Sequence, residues 1–423
     1  MELLRQVRII DPSQKIDRIA DVLIIDNRIA AIESTISDRP SEAKVYEPQN
    51  LILGTGLVDL YSHSGEPGNE ARETLETLSA SAAAGGFTQV AILPDTIPAI
   101  DNIDILTAVE QKAQYLTDIS ISSPHIHFWG AITPNMQGKQ MSELGNLREG
   151  AIGFSDRFNF SNLPLLKQVL EYLHPWQKPL AISLSDNELT GGGTIREGEA
   201  SIRYGTIGNP GFSEAAIIAA VLEIVAVIGT PIHIMRVSTQ RGVELIADAK
   251  QRGIPVTASA TWMHLLFDSE ASGNYDPNLR LEPPLGSKKD LKALIDGVRK
   301  GIIDAIAIDH QAYTYEEKTV SFETAPSGTI GLELALSLLW QRFVNSGEWS
   351  ALELWQALSF RPRQLLQQKP VSIALQQPTE LILFDPQQTW IANADNLRTT
   401  NNNTPWRDRE IVGKVLRIWH DKS

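Results

Sequence analysis

The sequence predicts an α/β protein: a (β/α)8 TIM barrel that carries a small β-sandwich domain formed by both termini. Two observations lead to this prediction. Strand-like and helix-like segments alternate through the middle of the chain, whereas the two ends contain only short apolar runs separated by turn residues. Strand–helix alternation that repeats about eight times favours a closed barrel over an open doubly wound sheet.

The middle of the chain, from about residue 51 to residue 363, carries this alternation. Apolar segments short enough for buried strands lie at residues 88–93, 126–130, 150–154, 179–183, 232–235, 255–258 and 305–308. Apolar residues recur with helical spacing at residues 73–84, 164–173, 213–228, 243–251 and 289–300. No GxGxxG motif follows a predicted strand, so the sequence does not indicate a dinucleotide site.

The two ends of the chain show hairpin patterns. Asp11-Pro12 and Asp26-Asn27 separate short apolar runs near the N-terminus, and the C-terminal segment alternates in the same way. Neither end has enough strands to bury a core alone. The sequence therefore predicts one composite β domain from residues 1–53 and 367–423, and a barrel from residues 54–366.

Composition and charge argue against several classes of function. The 423 residues include 37 basic and 51 acidic side chains, and the formal net charge of −14 disfavours nucleic-acid and membrane-surface partners. The absence of cysteine excludes disulfides, thiolate metal ligands and a cysteine nucleophile. The longest apolar stretch, residues 215–228, contains Glu223 and is too short to span a bilayer. The N-terminus lacks a secretory-signal pattern, so we expect a cytoplasmic protein.

The segment after the first barrel strand carries a recognisable motif. It contains Asp59, Tyr61, His63 and the run Glu66-Pro67-Gly68. This resembles the Asp-x-His-x-His-x-Arg-Glu-Pro-Gly signature of dihydroorotases. Further matching blocks follow in order at residues 83–88, 153–156, 237–239, 283–285, 304–310 and 403–406. The resemblance covers essentially the whole chain and implies a class I dihydroorotase of the amidohydrolase superfamily, a metal-dependent hydrolase of pyrimidine biosynthesis.

The resemblance also implies two zinc ions, and only half of the family's ligand positions are retained. His63, Asp156 and Asp309 stand at ligand positions, and Asp309 is also the position of the family's catalytic base. Histidine ligands are replaced at three positions, by Tyr61, Ser183 and Arg236. We therefore expect no metal cofactor and regard the three retained ligands as a remnant.

The positions that hold dihydroorotate in the family are replaced as well. The family's carboxylate-binding arginine falls on Gly65, and two of its asparagines fall on Asp95 and Glu282. Two carboxylates here would repel an anionic substrate. At about 4 Å and an effective dielectric constant near 20, each such contact costs roughly 4 kcal/mol before screening.

Arg236 is the most informative of the replacements. A guanidinium is always charged and cannot ligate zinc. We expect it to form a bidentate salt bridge with Asp156, with Asp309 or with both, in place of the metal.

The remaining histidines are expected to have structural roles. His125 and His127 lie two apart on a predicted strand, so their side chains share one face of the sheet, but the resemblance marks neither as a ligand. His233 and His264 are expected to pack near strand ends. His310 follows Asp309 as in the family, which suggests a place at the edge of the pocket.

Two functions remain open at this point. The first is a catalytically inactive structural or regulatory subunit, similar to the inactive dihydroorotase-like proteins that assemble with aspartate carbamoyltransferase, or a self-associating protein. The alternative is an active amidohydrolase that acts on dihydroorotate or another cyclic amide. In that case zinc would be held at a mononuclear site by His63, Asp156 and Asp309, since catalytic zinc needs only three protein ligands and a water.

Overall fold

The computed structural model of the chain describes residues 1–37, 43–46, 50–119, 123–377 and 379–420. Its strands are β1 (Glu2–Asp11), β2 (Ile16–Ile25), β3 (Arg28–Glu33), β4 (Lys44–Tyr46), β5 (Ile52–Thr55), β6 (Leu57–Ser62), β7 (Phe87–Ile92), β8 (His125–Ala131), β9 (Gly153–Phe158), β10 (Leu180–Leu184), β11 (Ile195–Arg196), β12 (Gly208–Asn209), β13 (Ile232–Ile234), β14 (Val256–Thr261), β15 (Ala305–Ala307), β16 (Leu381–Ile391) and β17 (Glu410–Trp419).

The helices lie between the barrel strands and after them. They are α1 (Leu75–Gly85), α2 (Ile103–Ile119), α3 (Leu144–Leu147), α4 (Leu163–Leu173), α5 (Asn187–Thr190), α6 (Glu199–Arg203), α7 (Phe212–Ile228), α8 (Gln240–Gln251), α9 (Met263–Leu266), α10 (Lys288–Lys300), α11 (Tyr315–Lys318), α12 (Ala335–Leu339), α13 (Ala351–Trp355) and α14 (Arg361–Leu365). No helix in the described part of the chain is both long and apolar enough to cross a membrane.

Two helix boundaries differ from the prediction because of N-capping side chains. Helix α8 begins at Gln240 rather than at residue 243, since the Thr239 side chain accepts a hydrogen bond from the amide of Gly242. Helix α1 begins at Leu75 rather than at residue 73, since Thr74 is its N-cap. Glu73 is thereby left outside the helix, and its carboxylate points into a buried polar network.

The predicted (β/α)8 barrel is confirmed. Eight parallel strands follow one another in the order β6-β7-β8-β9-β10-β13-β14-β15. Hydrogen bonds between the ends of β6 and β15 close the ring: the Asp309 amide donates to the carbonyl of Tyr61 (3.1 Å), and the His63 amide donates to the carbonyl of His310 (2.9 Å). The first and the last barrel strand therefore deliver their functional side chains to the same place.

A buried carboxylate reinforces this closure. Asp59, which is fully buried on β6, accepts hydrogen bonds from the backbone amide of Ile308 (2.8 Å) and from the Ser62 hydroxyl (2.5 Å). Burial raises the pKa of Asp59 to about 7 against the effect of those donors. The aspartate of the sequence motif thus joins β6 to the segment that carries Asp309.

The interior of the barrel is filled by a mixture of small and large side chains. The small residues are Ala91, Ala181, Ala305 and Ala307, and the large ones are Val58, Leu60, Tyr61, Leu93, Trp129, Met235 and Leu366. A larger apolar layer lies between the barrel and its helices. The barrel is open toward its N-terminal end, where Trp129 and Leu366 line a cavity.

The two ends of the chain form one seven-stranded sheet, as predicted. Its order is β17-β16-β5-β1-β2-β3, with β4 paired to β1, so strands from opposite termini meet through β5. Side chains from both ends share one core, which includes Val22, Leu53, Leu383 and Trp419. Gly54 on β5 packs against the indole of Trp355, where a Cβ would overlap the ring, and this contact holds the sheet against the barrel.

Candidate functional site at the barrel mouth

An ion pair between Arg236 and Asp309 occupies the centre of the barrel mouth. The guanidinium Nε donates to Oδ2 of Asp309 (2.7 Å) and its Nη2 donates to Oδ1 (2.5 Å). Both side chains are largely removed from solvent, with 9% and 18% exposure. This is the bidentate geometry in which arginine binds a carboxylate most strongly, and it confirms the Asp309 half of the expected salt bridge.

Both partners of the ion pair have an unusual backbone conformation. Arg236 and Asp309 follow the ends of β13 and β15, and their φ angles are 57° and 54°. The left-handed region costs a residue with a Cβ on the order of 1–2 kcal/mol. Such strain persists where the surrounding structure holds it, and it is concentrated at functional sites. Here it turns both side chains toward one another.

His63 extends the ion pair into a chain of alternating charges. Its Nδ1 lies 2.6 Å from Oδ2 of Asp95, and its Nε2 lies 3.3 Å from Oδ1 of Asp309. The Nη2 atom of Arg236 is 3.1 Å from the same Nε2. In order of contact, the cluster consists of Asp95, His63, Asp309 and Arg236, which are two carboxylates and two basic side chains.

The two carboxylates of this cluster balance its two cations, whose own contact is the one between Nη2 of Arg236 and Nε2 of His63 (3.1 Å). Burial lowers the pKa of His63, but the carboxylates of Asp95 and Asp309 outweigh it and raise the pKa to about 9. Burial likewise opposes ionisation of Asp309, yet the Arg236 guanidinium holds the pKa of Asp309 far below its usual range. His63 is therefore protonated at neutral pH, and Nε2–H and the guanidinium share Oδ1 of Asp309.

Tyr61, which replaces a family histidine, belongs to a hydrogen-bonded chain through the barrel interior. Its hydroxyl accepts from the Arg236 amide (3.1 Å) and donates to the hydroxyl of Ser259 (2.8 Å). Ser259 donates to Nε2 of His233 (2.9 Å), and His233 Nδ1–H donates to Thr257 (3.1 Å). This tautomer is assigned from the network. Burial lowers the pKa of His233 to about 3, so its ring is neutral and suited to accept.

Asp156, a retained ligand position, does not join the ion pair. Its Oδ2 accepts from the amide (2.9 Å) and the hydroxyl (2.5 Å) of Thr133, and its Oδ1 accepts from the Arg157 amide (2.7 Å). Of the two carboxylates that Arg236 was predicted to bind, one or both, it binds Asp309 alone, because these local donors already satisfy Asp156. Ser183 lines the same cavity of about 250 Å³ as Asp156, His63 and Arg236.

The replaced substrate positions also lie around the mouth. A Cβ at Gly65 would lie within 2.5 Å of the Glu73 carbonyl oxygen, so this loop has no room for a side chain at that position. Glu282 lines the mouth, and its carboxylate lies 3.6 Å from Arg280. Asp95 also lies at the mouth, and its partner there is His63, which lowers the pKa of Asp95 in spite of burial.

The other histidines are placed as follows. His125 and His127 share a face at the start of β8, with ring centroids 6.2 Å apart, at the end of the barrel opposite the mouth. His264 is buried between Thr261 and the Pro283 carbonyl. The suggested place of His310 at the pocket edge is wrong. It is fully buried and bonded to Glu73, because the chain turns inward after Asp309.

Three site residues were missed by sequence reasoning. Ser259 links Tyr61 to His233, Thr133 holds Asp156, and Arg157 lines the mouth cavities with an exposed guanidinium. Only Arg157 could have been found from the sequence, since it directly follows the retained ligand position Asp156. Thr133 and Ser259 are brought in by strand register, which the sequence does not display.

Within the described residues, no three histidine or carboxylate side chains are grouped as a metal site requires. His63 and Asp309 contact each other in the ion-pair cluster, whereas Asp156 is held apart from them by Thr133 and Arg157. The arrangement is a cluster of alternating negative and positive side chains that ends in the Arg236 guanidinium.

We predict that His63 titrates near pH 9 when followed by NMR, and that Asp95→Asn lowers this pKa by one unit or more. The folded-state pKa lies above the usual value of 6.5. Its contribution to stability is therefore complete below about pH 6.5 and is lost as the pH rises through about 9. The free energy of unfolding should accordingly fall more steeply over this range than in His63→Gln.

Glu282→Gln is the matched control for this titration, because it removes one negative charge from the same mouth without touching His63. It should leave the titration nearly unchanged. A His63 titration at or below pH 6.5 in the parent protein would contradict the charge arrangement described above.

The comparisons with known proteins agree with this fold and these motifs. A family model described as dihydro-orotase-like matches residues 50–242. A protein of Synechocystis sp., described as a probable dihydroorotase-like protein, is 43% identical, with 97% of this chain and 98% of the relative covered. The dihydroorotase of Syntrophus aciditrophicus is 34% identical, with 98% of this chain and 96% of the relative covered.

Solved structures show the same architecture at low sequence identity. The L-hydantoinase (dihydropyrimidinase) of Arthrobacter aurescens matches with a TM-score of 0.83 and 20% identity, over 99% of this chain and 96% of that one. The dihydropyrimidinase of Brevibacillus agri matches with a TM-score of 0.81 and 18% identity, over 99% and 93%. These structures support the fold, and the full-length relatives assign the family: this chain belongs to the dihydroorotase-like family.

Proposed function

We propose that this chain is a non-catalytic member of its family, which does not hydrolyse dihydroorotate and acts as a structural or regulatory partner. The observation that carries the proposal is the bidentate ion pair of Arg236 and Asp309. It engages the carboxylate that would be both a metal ligand and the catalytic base. A base in this state has a pKa too low to take a proton from water at neutral pH.

The residues present do not fit the zinc ions that the family resemblance implies. Both ring nitrogens of His63 face carboxylate oxygens, at 2.6 Å from Asp95 and 3.3 Å from Asp309, so neither is directed at an open ligand position. The Arg236 guanidinium stands beside the remaining ligand atoms, and its charge would repel a divalent cation. The same facts argue against the mononuclear alternative, because His63 and Asp309 are two of its three ligands.

The mouth is also poorly suited to the substrate. The loop has no room for a side chain at Gly65, the position of the family's carboxylate-binding arginine, and Glu282 adds a carboxylate to the cavity wall. Losing a buried arginine–carboxylate contact costs on the order of 2–5 kcal/mol of binding. Dihydroorotate would therefore bind weakly even without the loss of metal.

The partner we propose is aspartate carbamoyltransferase, with self-association as the other outcome. The reason is the resemblance to inactive family members that assemble with that enzyme. A group of exposed apolar side chains near the mouth supports a protein contact: Ile202, Ile207 and Phe212 are 83%, 62% and 59% exposed. They lie in the segment between β10 and the body of α7.

We predict that the protein purified after expression with zinc contains almost none and shows no hydrolysis of dihydroorotate. The triple substitution Tyr61→His, Ser183→His, Arg236→His should bind one or two zinc ions per chain, because it removes the guanidinium and restores three imidazoles. Elemental analysis measures the metal, and circular dichroism checks the fold.

Arg157→His is the matched control, since it adds a histidine to the same cavity and leaves the ion pair intact. It should contain as little zinc as the parent protein. Stoichiometric zinc in the parent, or hydrolysis that a chelator abolishes, would contradict the proposal.

We predict a second result for the partner. Sedimentation of this protein mixed with aspartate carbamoyltransferase of the same organism should show a complex, and Ile202→Glu should weaken it about tenfold or more by placing a charge in an apolar contact. Val227→Glu is the control, because Val227 is equally exposed, at 87%, at the far end of α7. Independent sedimentation of the two proteins would refute the partnership. A complex of this chain with itself would support the other outcome.

A further inference from the structure

A second cavity lies at the N-terminal end of the barrel, opposite the candidate site. It encloses about 330 Å³ and is lined by the residues that precede or begin β10, β13 and β14. Pocket volumes of about 300–1,000 Å³ are typical of small-molecule sites. Pro179, Pro231 and Pro255 line it directly before these three strands.

The walls of this N-terminal cavity are mostly apolar and fixed in place. Leu60, Trp129, Ile232 and Val256 are almost fully buried behind its surface, and Leu366 covers part of it. The Trp129 indole N–H already donates to the Leu60 carbonyl (2.9 Å), so the ring presents its apolar surface to the cavity. An occupant would therefore be held chiefly by apolar contact with rigid side chains.

His233 adds a neutral imidazole ring to the wall, and its hydrogen-bonding capacity is already used. Both of its nitrogens are engaged, one by Ser259 (2.9 Å) and one by Thr257 (3.1 Å). It thus offers an occupant neither a charge nor a free hydrogen-bonding atom. The chemistry of an occupant must be set by another group.

That group is Lys178. Among the described residues that line the cavity, none is acidic and Lys178 carries the only full charge. Its Nζ donates to the Ala151 carbonyl (2.8 Å), and its half-buried ammonium has no carboxylate partner within salt-bridge distance in the described chain. Burial and the nearby Arg148 both lower the pKa of Lys178, so the ammonium lies in a place that favours an added negative charge.

We propose that this N-terminal cavity is a binding site for a small apolar monoanion, such as a flat aromatic or branched aliphatic carboxylate. The apolar body would lie against Trp129, Ile232 and Val256, and the carboxylate would pair with the Lys178 ammonium. The site is separate from the barrel mouth and independent of the proposed loss of catalysis. No step of chemistry is assigned to it.

The test uses two aromatic probes that differ only in charge, 1-naphthoate and 1-naphthamide, titrated calorimetrically into the full-length protein. We expect naphthoate to bind about tenfold more tightly than the neutral amide, as one partly buried ion pair allows. Lys178→Gln should reduce naphthoate binding to the level of the amide. Lys369→Gln, which removes an exposed lysine from a different part of the same barrel end, should change neither.

Methyl NMR of the parent protein locates the probe. Naphthoate should shift the resonances of Leu60, Ile232 and Val256, and should leave Leu93 and Met235 at the mouth cavity unshifted. A Leu365→Trp variant, which fills the cavity from its rim, should lose binding of both probes while keeping its circular dichroism spectrum. Equal affinity for both probes, an unchanged Lys178→Gln variant, shifts confined to the mouth, or no binding at millimolar concentration would overturn the proposal.

Discussion

The ion pair between Arg236 and Asp309 is the interaction on which the barrel mouth depends. Each residue follows a barrel strand in a left-handed backbone conformation, and each turns toward the other. Removing one partner of a buried pair leaves an uncompensated charge and typically costs about 3–5 kcal/mol. His63 and Asp95 add one positive and one negative charge, so four ionised groups with no net charge lie together at the largely buried barrel mouth.

The closure of the barrel makes this arrangement possible. Strands β6 and β15 are far apart in sequence, yet Asp59, Tyr61 and His63 bind the backbone of the segment around Asp309. On the other side, the Tyr61 hydroxyl accepts a hydrogen bond from the Arg236 amide and is linked through Ser259 to His233. A tyrosine in place of a ligand histidine is therefore part of a fully paired interior network. Such networks hold a polar core in one arrangement when every member is satisfied.

Much of the fold could be predicted from the sequence, because strand–helix alternation and the paired hairpin patterns at both ends follow from local periodicity. The bidentate pairing of Arg236 could also be predicted, since a guanidinium at a ligand position leaves few alternatives. Three features could not be predicted from the sequence: the pairing of Asp95 with His63, the separate binding of Asp156 by Thr133, and the burial of His310. Each depends on which side chains the strand register brings together, and that register is set by packing around the whole ring.

The two ends of the barrel also differ in how predictable they were. The mouth carries the residues of the dihydroorotase-like motifs, which can be located in the sequence. The N-terminal cavity is lined by prolines and apolar residues from several strands, together with Lys178, and no motif marks it. A cavity of this kind is a property of summed side-chain volumes, so it becomes visible only when the strands are assembled.

X-ray diffraction at the zinc absorption edge, from crystals of the parent protein grown with excess zinc, tests whether Arg236 stands in place of the metal. We expect no anomalous peak at the barrel mouth, and continuous density from the Arg236 guanidinium to both carboxylate oxygens of Asp309. A zinc peak within bonding distance of His63, Asp156 and Asp309, with Arg236 displaced, would contradict it.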